Sequence, residues 1–486
     1  MGAEAIKLIA EYYESIRDLP VYPNAAAQKL RENLDESLPI EGEDVSHLFE
    51  TFRDFILPMS RHNGHPRFFG YVSSPGTALT AFADLLASAL NANVTSWRSA
   101  PASTEIERIT IGWIKQILNY DKDAVGLFTS GGSMANFAGL AAALFSKAPA
   151  NLIDDGARAL EKRMRVYMSE EGHFSITKAA GLLGLGRSSV RAIRVNERFQ
   201  IDVEDLIQKI EEDLSGGYQP FCVVANAGTV STGACDALAE VAEVAEKYNL
   251  WFHVDASYGG FAALAPSAKH LFDGIAGADS VSLDPHKWLY LPIDCGCVLY
   301  RDGATARAAY SHDAEYTRVV GDDIEEFAFW DYTPELSRRF RALKVWMMLK
   351  NVGARHLGQA IEQNINCAKH LASLVDKSDD FEMLAPVELS IFCFRYVPPS
   401  VRKGLERADS NGVEEINRQL DTLNKGIMVE LQRDGSSYLS NALINGRFAL
   451  RGCVINYRTT LQDIEVLLED IRRVVKCTRL SAYESD

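Results

Sequence analysis

The 486-residue sequence lacks long apolar runs and an excess of basic residues. A membrane-spanning helix needs about 20 consecutive apolar residues, and no such stretch occurs, so we do not expect contact with a membrane interior. The formal net charge is −16, with 50 Lys and Arg against 66 Asp and Glu. This charge argues against nucleic acid or an anionic membrane as a partner.

Cysteine patterns typical of metal or disulfide sites are also missing. The eight cysteines are spread from Cys222 to Cys477, and the closest pair, Cys295 and Cys297, is a CxC and not a CxxC. The two histidines of "RHNGHP", at positions 62 and 65, have no matching cluster, so we expect a loop and no metal. The N-terminus lacks the basic start and apolar centre of a signal peptide. We therefore predict a cytoplasmic protein with free thiols.

Short apolar segments alternate with helical patterns through the middle of the chain. This alternation predicts an α/β fold, with a mainly parallel sheet covered by helices on both faces. Strands are predicted at 124–130, 165–170, 190–195, 221–227, 251–256, 280–283 and 295–300. Asp202 is a candidate N-cap, and a helix is predicted from about residue 335. We expect a helical segment over 1–80, a large α/β domain over 81–375 and a small α+β domain over 376–486.

The segment "TSGGSMANF" at 129–137 has the pattern of an anion cup. A strand ends, two glycines let the backbone turn closely, and a helix begins at Ser133. The free N–H groups of a first helical turn favour an anion, and the Ser133 hydroxyl adds a donor. The plain alternative is an ordinary tight turn. A Walker A motif is absent, and "GLLGLGRSS" contains GxxGxG rather than GxGxxG.

Three further residues lie at or after predicted strand ends, where ligands bind in parallel sheets. Asp255 follows an apolar strand, and a buried carboxylate needs a cation or hydrogen bonds. Lys287, in "DPHKWL", follows another strand, where desolvation can turn a lysine into an amine nucleophile. His173 follows "RVYMSE". Taken alone, each of these three residues fits a purely structural role equally well.

Taken together, these features match the needs of one cofactor. The chain offers an anion cup, a flat histidine ring, a buried acid and an amine, in that order. Pyridoxal 5′-phosphate needs a cup for its phosphate, an aromatic neighbour for its ring, an acid for its pyridine nitrogen and a lysine for its aldehyde. The sequence therefore predicts pyridoxal phosphate as the cofactor.

At the level of motifs, the chain resembles the group II pyridoxal-phosphate decarboxylases, the family of the aromatic-L-amino-acid, histidine and glutamate decarboxylases. The matching motifs run from about residue 5 to 475 in the family's order: "HPRFFGYVSSPG", "SWRSAPASTEIE", "TSGGSMANF", "GHFSITKAAGLLG", "AGTVSTGACD", "HVDASYGG", "DPHKWL" and "NGRFALRGCVINYRTT". The resemblance implies the aspartate-aminotransferase fold (fold type I) and a homodimer with its sites at the interface. It also implies a lyase that acts on a small-molecule L-amino acid.

The resemblance implies roles for individual residues. Lys287 would be the Schiff-base lysine, His173 would stack on the cofactor ring, and Asp255 would hold the pyridine nitrogen. His286 would lie beside the lysine, near the substrate carboxylate. The other cofactor-binding residues implied are Gly132, Ser133, Ser175, Thr229 and Asp284. The substrate pocket implied comprises Tyr71, Ser74 and Trp97.

Some positions depart from the pattern of the animal aromatic decarboxylases. Met134 stands where many members have Glu, and Val230 replaces a second threonine. Ser257 replaces an alanine under the ring, and Asp284 stands where Asn is common beside the phosphate. An extra anion at Asp284 needs a hydrogen-bond donor or must point elsewhere.

The product depends on a loop at about 311–332, where the family usually has a tyrosine that delivers a proton to Cα. Counting back from "SRRFRALK" without gaps puts Phe329 there, and Tyr316 or Tyr332 could serve after a register shift. A phenylalanine at this position is associated with an oxygen-consuming reaction that yields an aldehyde. The resemblance thus leaves two products open, an amine or an aldehyde.

The substrate class follows from the predicted pocket walls. "RFFGYV" and "SWRS" favour a flat aromatic side chain, such as that of Trp, Phe or Tyr. Arg67 and Arg98 lie close by in the sequence and leave an acidic amino acid open. A catalytically silent homologue is a third reading, although Lys287, Asp255 and His173 are intact.

Overall fold

The computed structural model describes residues 1–311 and 327–477. The chain divides into two compact units. The first comprises Met1–Ala78, Asn366–Pro386 and the described part of Ser390–Asp486, and the second comprises Leu79–Ile365 and Val387–Leu389. The division into 1–80, 81–375 and 376–486 stays a prediction.

Helices occur in both units. In chain order they are α1 (Gly2–Ser15), α2 (Ala27–Leu34), α3 (Val45–Thr51), α4 (Ala78–Leu90), α5 (Pro101–Leu118), α6 (Gly132–Lys147), α7 (Leu152–Asp155), α8 (Ser175–Leu182), α9 (Val203–Ser215), α10 (Leu238–Lys247), α11 (Pro285–Trp288), α12 (Gly303–Tyr310), α13 (Ala342–Asp376), α14 (Pro399–Leu405), α15 (Ser410–Asp434) and α16 (Leu461–Cys477). None of them is long and apolar enough to cross a membrane, within the two described ranges.

The second unit is built on a seven-stranded, mainly parallel sheet. Its strands are β1 (Val125–Thr129), β2 (Met164–Ser169), β3 (Val190–Ile193), β4 (Gln219–Asn226), β5 (Trp251–Asp255), β6 (Ser280–Leu283) and β7 (Gly296–Tyr300). Their order is β1-β7-β6-β5-β4-β2-β3, and only β7 runs antiparallel to its neighbours. Most strand residues are buried, as expected of a sheet covered on both faces. The fold prediction is confirmed, and every predicted strand overlaps an observed one.

The first unit contains a smaller antiparallel sheet. Its strands are β8 (Phe381–Met383), β9 (Ile391–Tyr396), β10 (Ser440–Ile444) and β11 (Arg447–Cys453), in the order β10-β11-β9-β8. Helix α15 packs on β11 and on α16. This arrangement of antiparallel strands and helices agrees with the α+β character expected near the C-terminus.

Helix boundaries follow local side-chain chemistry. The Asp202 carboxylate accepts hydrogen bonds from Glu204 N and Asp205 N, so the predicted N-cap of α9 is confirmed. The helix predicted from about residue 335 is present, but its predicted start is wrong, because α13 begins only at Ala342. The reason lies at Arg338, whose side chain is drawn into the interior and donates to three acceptors. These are a Glu107 carboxylate oxygen and the carbonyl oxygens of Val94 and Phe128.

The cysteines play no visible part in cross-linking or metal binding. All eight are free thiols, and only Cys477 is exposed. Burial raises the pKa of Cys222 and Cys295 well above the ordinary thiol value, so both thiols stay protonated at neutral pH. Among the described residues, no cluster of three His, Cys, Asp or Glu side chains could hold a metal ion.

Candidate active site

The site forms where adjacent parallel strands of the second unit end. β5 ends at Asp255, which pairs in register with Ser282 of β6. Asp284 follows β6 directly, and Pro285 then starts the short helix α11, which carries Lys287. Because β5 and β6 end at the same edge of the sheet, the acid and the amine predicted from sequence come together.

Asp255 is a buried carboxylate with several hydrogen-bond donors around it. Its Oδ2 accepts from Asn136 Nδ2 at 2.8 Å, and its Oδ1 accepts from Ser257 N at 3.1 Å and Ser282 Oγ at 3.2 Å. Burial alone would raise the pKa of this carboxyl. Hydrogen bonding from Ser257 and Asn136, together with the charge of Lys287, instead holds the pKa below its usual range. Asp255 is therefore ionised at neutral pH.

Lys287 forms an ion pair with the acid that precedes its helix. Its Nζ lies 2.9 Å from Asp284 Oδ2, and the Asp284 side chain is only 4% exposed. The other oxygen, Asp284 Oδ1, is buried without a hydrogen-bond partner. Asp284 therefore points into the site and keeps one unsatisfied acceptor there. This resolves the question of where the extra anion points.

The N-terminus of α6 lies at the position predicted for the anion cup. At Gly132 an added Cβ would lie 2.5 Å from Ser257 Oγ and 2.7 Å from Asp284 Oδ2, so only glycine fits. Ser133 is exposed at the start of this 16-residue helix, and its hydroxyl is accessible to a ligand. Helix α6 begins at Gly132, one residue before the predicted start. Backbone N–H groups and the helix dipole at this end favour a phosphate.

His173 precedes α8 and serves as a hydrogen-bond acceptor for it. Its Nδ1 accepts from Ser175 Oγ at 2.7 Å and from Ser175 N at 3.2 Å. Burial lowers the pKa of His173, so the ring is neutral, and the charges of Asp255 and Lys287 also act on it. A neutral, flat ring near the acid and the amine suits stacking on a heterocycle.

Thr229, the remaining cofactor-binding candidate, lies in the turn after β4, and His286, predicted near the substrate carboxylate, lies in α11. The Thr229 hydroxyl lies 2.9 Å from Thr232 Oγ1 and accepts from Ala234 N, so it fixes the turn after β4. Val230 is 41% exposed beside it. His286 Nδ1 lies 2.9 Å from the Cys295 carbonyl oxygen and 3.2 Å from the Cys295 backbone nitrogen, and burial lowers the pKa of its ring.

An aromatic stack braces the segment that carries Lys287. The ring of Trp288, which follows the lysine, is fully buried and stacks on Tyr258 with centroids 5.0 Å apart and planes at 8°. Trp288 Nε1 also donates to Asn364 Oδ1 at 3.1 Å. Tyr258 lies three residues after Asp255. The stack thus ties the lysine segment to the acid segment.

Within the described part of the second unit, no contact joins the predicted substrate residues to Asp255 and Lys287. Tyr71 and Ser74 belong to the first unit, where Tyr71 is half exposed and has a positive φ of 57°. Trp97 Nε1 donates to Glu105 at 2.9 Å, and Trp97 N donates to the Phe327 carbonyl. Their roles in substrate binding stay a prediction.

Phe329, at the position aligned with the family's loop tyrosine, and Tyr332, a candidate proton donor, have structural roles. Phe329 is fully buried, and the Arg338 guanidinium lies 4.1 Å from its ring centroid. Tyr332 lies by Gly303 and Tyr300, at the end of β7 opposite to its start at Gly296. Tyr332 thus lies at the opposite end of β7 from the sheet edge that carries Lys287, and Phe329 has no hydroxyl. Tyr316 lies outside the described residues.

Sequence reasoning missed two residues beneath the site, Asn136 and His253. Both are almost fully buried, and Asn136 Oδ1 lies 2.9 Å from His253 Nε2. A signal for Asn136 exists, because it is an amide in the otherwise small and apolar helix "SMANFAGLAAALF". His253 alternates with apolar residues in a buried strand, where a polar side chain needs a partner.

The residues present fit pyridoxal phosphate. The buried Asp284 Oδ1, which has no hydrogen-bond partner, marks a site for a ligand. An ionised buried acid, a neutral histidine and a lysine next to a helix N-terminus define an α/β enzyme of pyridoxal-phosphate chemistry. Residues 27–397 match the family described as "Pyridoxal-dependent decarboxylase conserved domain". The chain belongs to this family and is a PLP-dependent carboxy-lyase, as predicted.

Individual relatives agree over nearly the whole length. The chain is 34% identical to an aromatic-L-amino-acid decarboxylase of Bacillus atrophaeus, over 99% of this chain and 96% of the relative. It is 30% identical to a phenylacetaldehyde synthase of Petunia hybrida, over 93% and 89%. A crystal structure of Oryza sativa TDC with PLP and tryptamine superimposes with a TM-score of 0.88 at 28% identity, covering 98% of this chain and 96% of that one.

Proposed function

We propose that this enzyme decarboxylates an aromatic L-amino acid, Trp, Phe or Tyr, to the amine and CO₂, with its cofactor bound covalently to Lys287. The observation that carries the proposal is the Asp255 carboxylate, which is buried, held by three hydrogen bonds and ionised. Such a carboxylate keeps a proton on a heterocyclic nitrogen that faces it. A protonated ring is the electron-poor group that cleavage of a bond at Cα requires.

When bound, pyridoxal phosphate supplies a carbonyl that condenses with amines and a ring that accepts electrons. Each residue of the site then has one task. Lys287 Nζ holds the cofactor, and Asp284 Oδ2, at 2.9 Å, is placed to accept a proton from that nitrogen. His173 presents a neutral ring, and the α6 N-terminus with Ser133 binds phosphate. His286 stands beside Lys287, where we expect it to face the substrate carboxylate.

The aromatic substrate class is supported by relatives and by the state of one arginine. The 34% identical relative is an aromatic-L-amino-acid decarboxylase. Arg67, a candidate ligand for an acidic side chain, lies 3.9 Å from Asp470 in the first unit and is already paired. Arg98 is exposed and remains the residue on which an acidic substrate would depend.

An aldehyde product is the second candidate, because a relative at 30% identity is a phenylacetaldehyde synthase. The absence of a hydroxyl at Phe329 does not by itself favour this product, since that ring is packed in the interior. The two products separate in one experiment. Purified enzyme is supplied with a panel of aromatic and acidic amino acids, under air and without oxygen, and the products are identified by mass spectrometry.

Amine and CO₂ from an aromatic substrate, without oxygen uptake, would support the proposal. Aldehyde with ammonia and hydrogen peroxide would replace it with the second candidate. Turnover of acidic amino acids alone would overturn the substrate class, and no turnover at all would favour a silent homologue.

The role of Lys287 has its own test. Lys287→Ala should lose the visible absorbance of the covalently bound cofactor and nearly all turnover, because no other amine replaces Nζ. Lys269→Ala, at an exposed position, is the matched control. Absorbance spectra and product assays check both variants. Normal turnover by Lys287→Ala would remove the lysine from the proposal.

We also propose that the enzyme is a homodimer with its sites at the interface and that it acts in the cytoplasm. The homodimer follows from the family resemblance, and the cytoplasmic location follows from the sequence-based expectation of free thiols. Sedimentation should give roughly twice the chain mass of 53.7 kDa. A monomer with full activity would contradict a shared site.

A further inference from the structure

A buried chain of hydrogen bonds runs beneath the site, from the start of β5 to α6. Trp251 Nε1 donates to Ser280 Oγ at 2.8 Å, and Ser280 Oγ lies 2.8 Å from His253 Nδ1. His253 Nε2 lies 2.9 Å from Asn136 Oδ1. All four side chains are at most 4% exposed. We call Trp251, Ser280, His253, Asn136 and Ser175 the polar relay.

The polar relay branches at Asn136, and its two branches reach Asp255 and His173. Asn136 Nδ2 donates to Asp255 Oδ2 at 2.8 Å and to Ser175 Oγ at 2.9 Å. Ser175 Oγ lies 2.7 Å from His173 Nδ1. One amide thus contacts the acid directly and the histidine through one hydroxyl.

The direction of each hydrogen bond follows from the acid. An ionised Asp255 only accepts, which requires the amide nitrogen of Asn136 to face it. Asn136 Oδ1 then faces His253 Nε2, which carries the proton and donates to it. Nδ1 of the neutral ring accepts from the Ser280 hydroxyl, whose oxygen accepts from the Trp251 indole N–H. A single arrangement satisfies all of these contacts.

The same logic sets the tautomer of His173. The Ser175 backbone N–H and hydroxyl both point to His173 Nδ1, so Nδ1 is an acceptor and the proton sits on Nε2. Burial lowers the pKa of His253 to about 4, which keeps the relay uncharged at neutral pH. The groups that act electrostatically on Asp255 are Lys287 and His173, and Asp255 in turn acts on His253.

Helix α6 is shaped to admit the histidine ring of the relay. An added Cβ at Gly139 would lie 2.7 Å from His253 Cε1 and 3.2 Å from Ser280 Oγ. A larger residue would displace the ring and break the contact with Asn136. Gly139 follows Asn136 by three residues, so both face the same neighbours on the helix.

We propose that Asn136 and His253 are positioning residues: they fix the orientation of the Asp255 carboxylate and hold His173 as its Nε2–H tautomer, ready for the cofactor. This proposal rests on the proposed function. A carboxylate that has lost one of its three donors and stays buried would be harder to ionise and free to rotate. The relay therefore acts on catalysis through Asp255 and His173, without contact between its own residues and the substrate.

Asn136→Asp tests the proposal with a side chain of nearly the same shape. The new carboxylate cannot donate to Asp255 or Ser175, and its charge opposes that of Asp255. We expect kcat to fall about 10-fold or more with KM changed much less, since loss of a hydrogen bond to a charged group is worth a factor of this order. We also expect the acid limb of the pH–rate profile and the spectral titration of the bound cofactor to move to higher pH.

Two substitutions at His253 test whether a side chain that makes the same hydrogen bonds preserves activity. Glutamine can accept from Ser280 and donate to Asn136 as the ring does, so His253→Gln should keep kcat within ~3-fold, whereas His253→Leu should resemble Asn136→Asp. His270→Leu, at an exposed position, is the matched control. Circular dichroism and cofactor content are measured first. If either Asn136→Asp or His253→Leu does not fold, Asn136→Ala is judged by the same criteria.

The tautomer is tested without turnover. Histidine labelled with ¹⁵N in the ring should show Nδ1 of His173 unprotonated in the cofactor-free wild type and a changed pattern in Asn136→Ala, with His173→Gln used for assignment. The proposal is overturned if folded Asn136 and His253→Leu variants keep the wild-type kcat, spectral titration and tautomer. A wild type that does not decarboxylate would instead overturn the proposed function, and that outcome is distinguishable from the failure of the relay.

Discussion

At the scale of single residues, Asp284 sets this site apart from the pattern expected of its relatives. Its carboxylate lies against the position that a Cβ would take at Gly132, in the cup proposed for phosphate. It also pairs with Lys287 at 2.9 Å and so engages a cation of the site. An anion here both repels a phosphate and competes for the lysine. Asp284 should therefore weaken cofactor binding relative to asparagine.

We expect Asp284→Asn to bind pyridoxine 5′-phosphate about 10-fold more tightly at pH 8, because the substitution removes a buried negative charge that repels the phosphate. This analogue has no aldehyde, so the covalent step does not contribute. Isothermal titration calorimetry checks the affinity, with Asp273→Asn at an exposed position as the control. The gain should shrink as salt is added. Equal or weaker binding would contradict this account of Asp284.

A functional role could be predicted from the sequence for residues that lie at the ends of predicted strands. Asp255 and Lys287 stand out because a carboxylate and an amine each follow an apolar run, and parallel strands bring such ends together. Asn136 could not be assigned in the same way. Its partners His253 and Asp255 lie 117 and 119 residues away, and the pairing depends on how α6 packs on the sheet. Local patterns carry no information about that packing.

At the scale of elements, the segment 335–341 shows how one buried charge can override a helical pattern. Arg338 and Glu107 form an ion pair in which the side chains are 1% and 0% exposed. The carboxylate also accepts from Phe128 N in β1 at 2.9 Å, and the guanidinium packs over Phe329. The pair therefore joins α5, β1 and the segment before α13. A helix from residue 335 would withdraw Arg338 from these partners.

Removing one partner of this pair should be costly. We expect Glu107→Gln to lower the free energy of unfolding by about 3 kcal/mol, since the Arg338 charge stays buried without its counter-ion. Glu105→Gln, which affects a partly exposed ion pair with Arg108, should cost less than about 1 kcal/mol. Urea denaturation measures both.

The double variant Glu107→Leu with Arg338→Met serves as a second check. It replaces the pair by apolar side chains and should recover most of the stability lost in Glu107→Gln. Equal losses of stability in Glu107→Gln and Glu105→Gln would show that the buried ion pair contributes no more than the partly exposed one.

At the scale of the whole molecule, buried histidines link stability to pH. Burial lowers the pKa of His65 in the first unit and of His253 in the second to about 4. The unfolded chain takes up these protons at pH ~6.5, before the folded one does. The contribution of these neutral histidines to the free energy of unfolding is therefore fully present above pH ~6.5 and is lost as the pH falls toward 4. Asp236, whose pKa burial raises to about 6, acts in the opposite direction.

His253→Gln isolates one of these contributions. Between pH 7.5 and 5.0 the wild type should lose about 2 kcal/mol more stability than this variant, because glutamine takes up no proton on unfolding. Denaturation at the two pH values gives the difference, and Asp236 affects both proteins alike. An identical pH dependence in the two proteins would mean that His253 titrates normally in the folded state.

The single reversed strand β7 couples two distant parts of the chain. It begins at Gly296 beside the end of β1, and a methyl group there would lie 2.4 Å from the Gly131 carbonyl carbon. Any side chain at position 296 would push against the backbone that leads into α6. A substitution at position 296 would therefore displace the backbone of the proposed cup from a strand that contributes no residue to it.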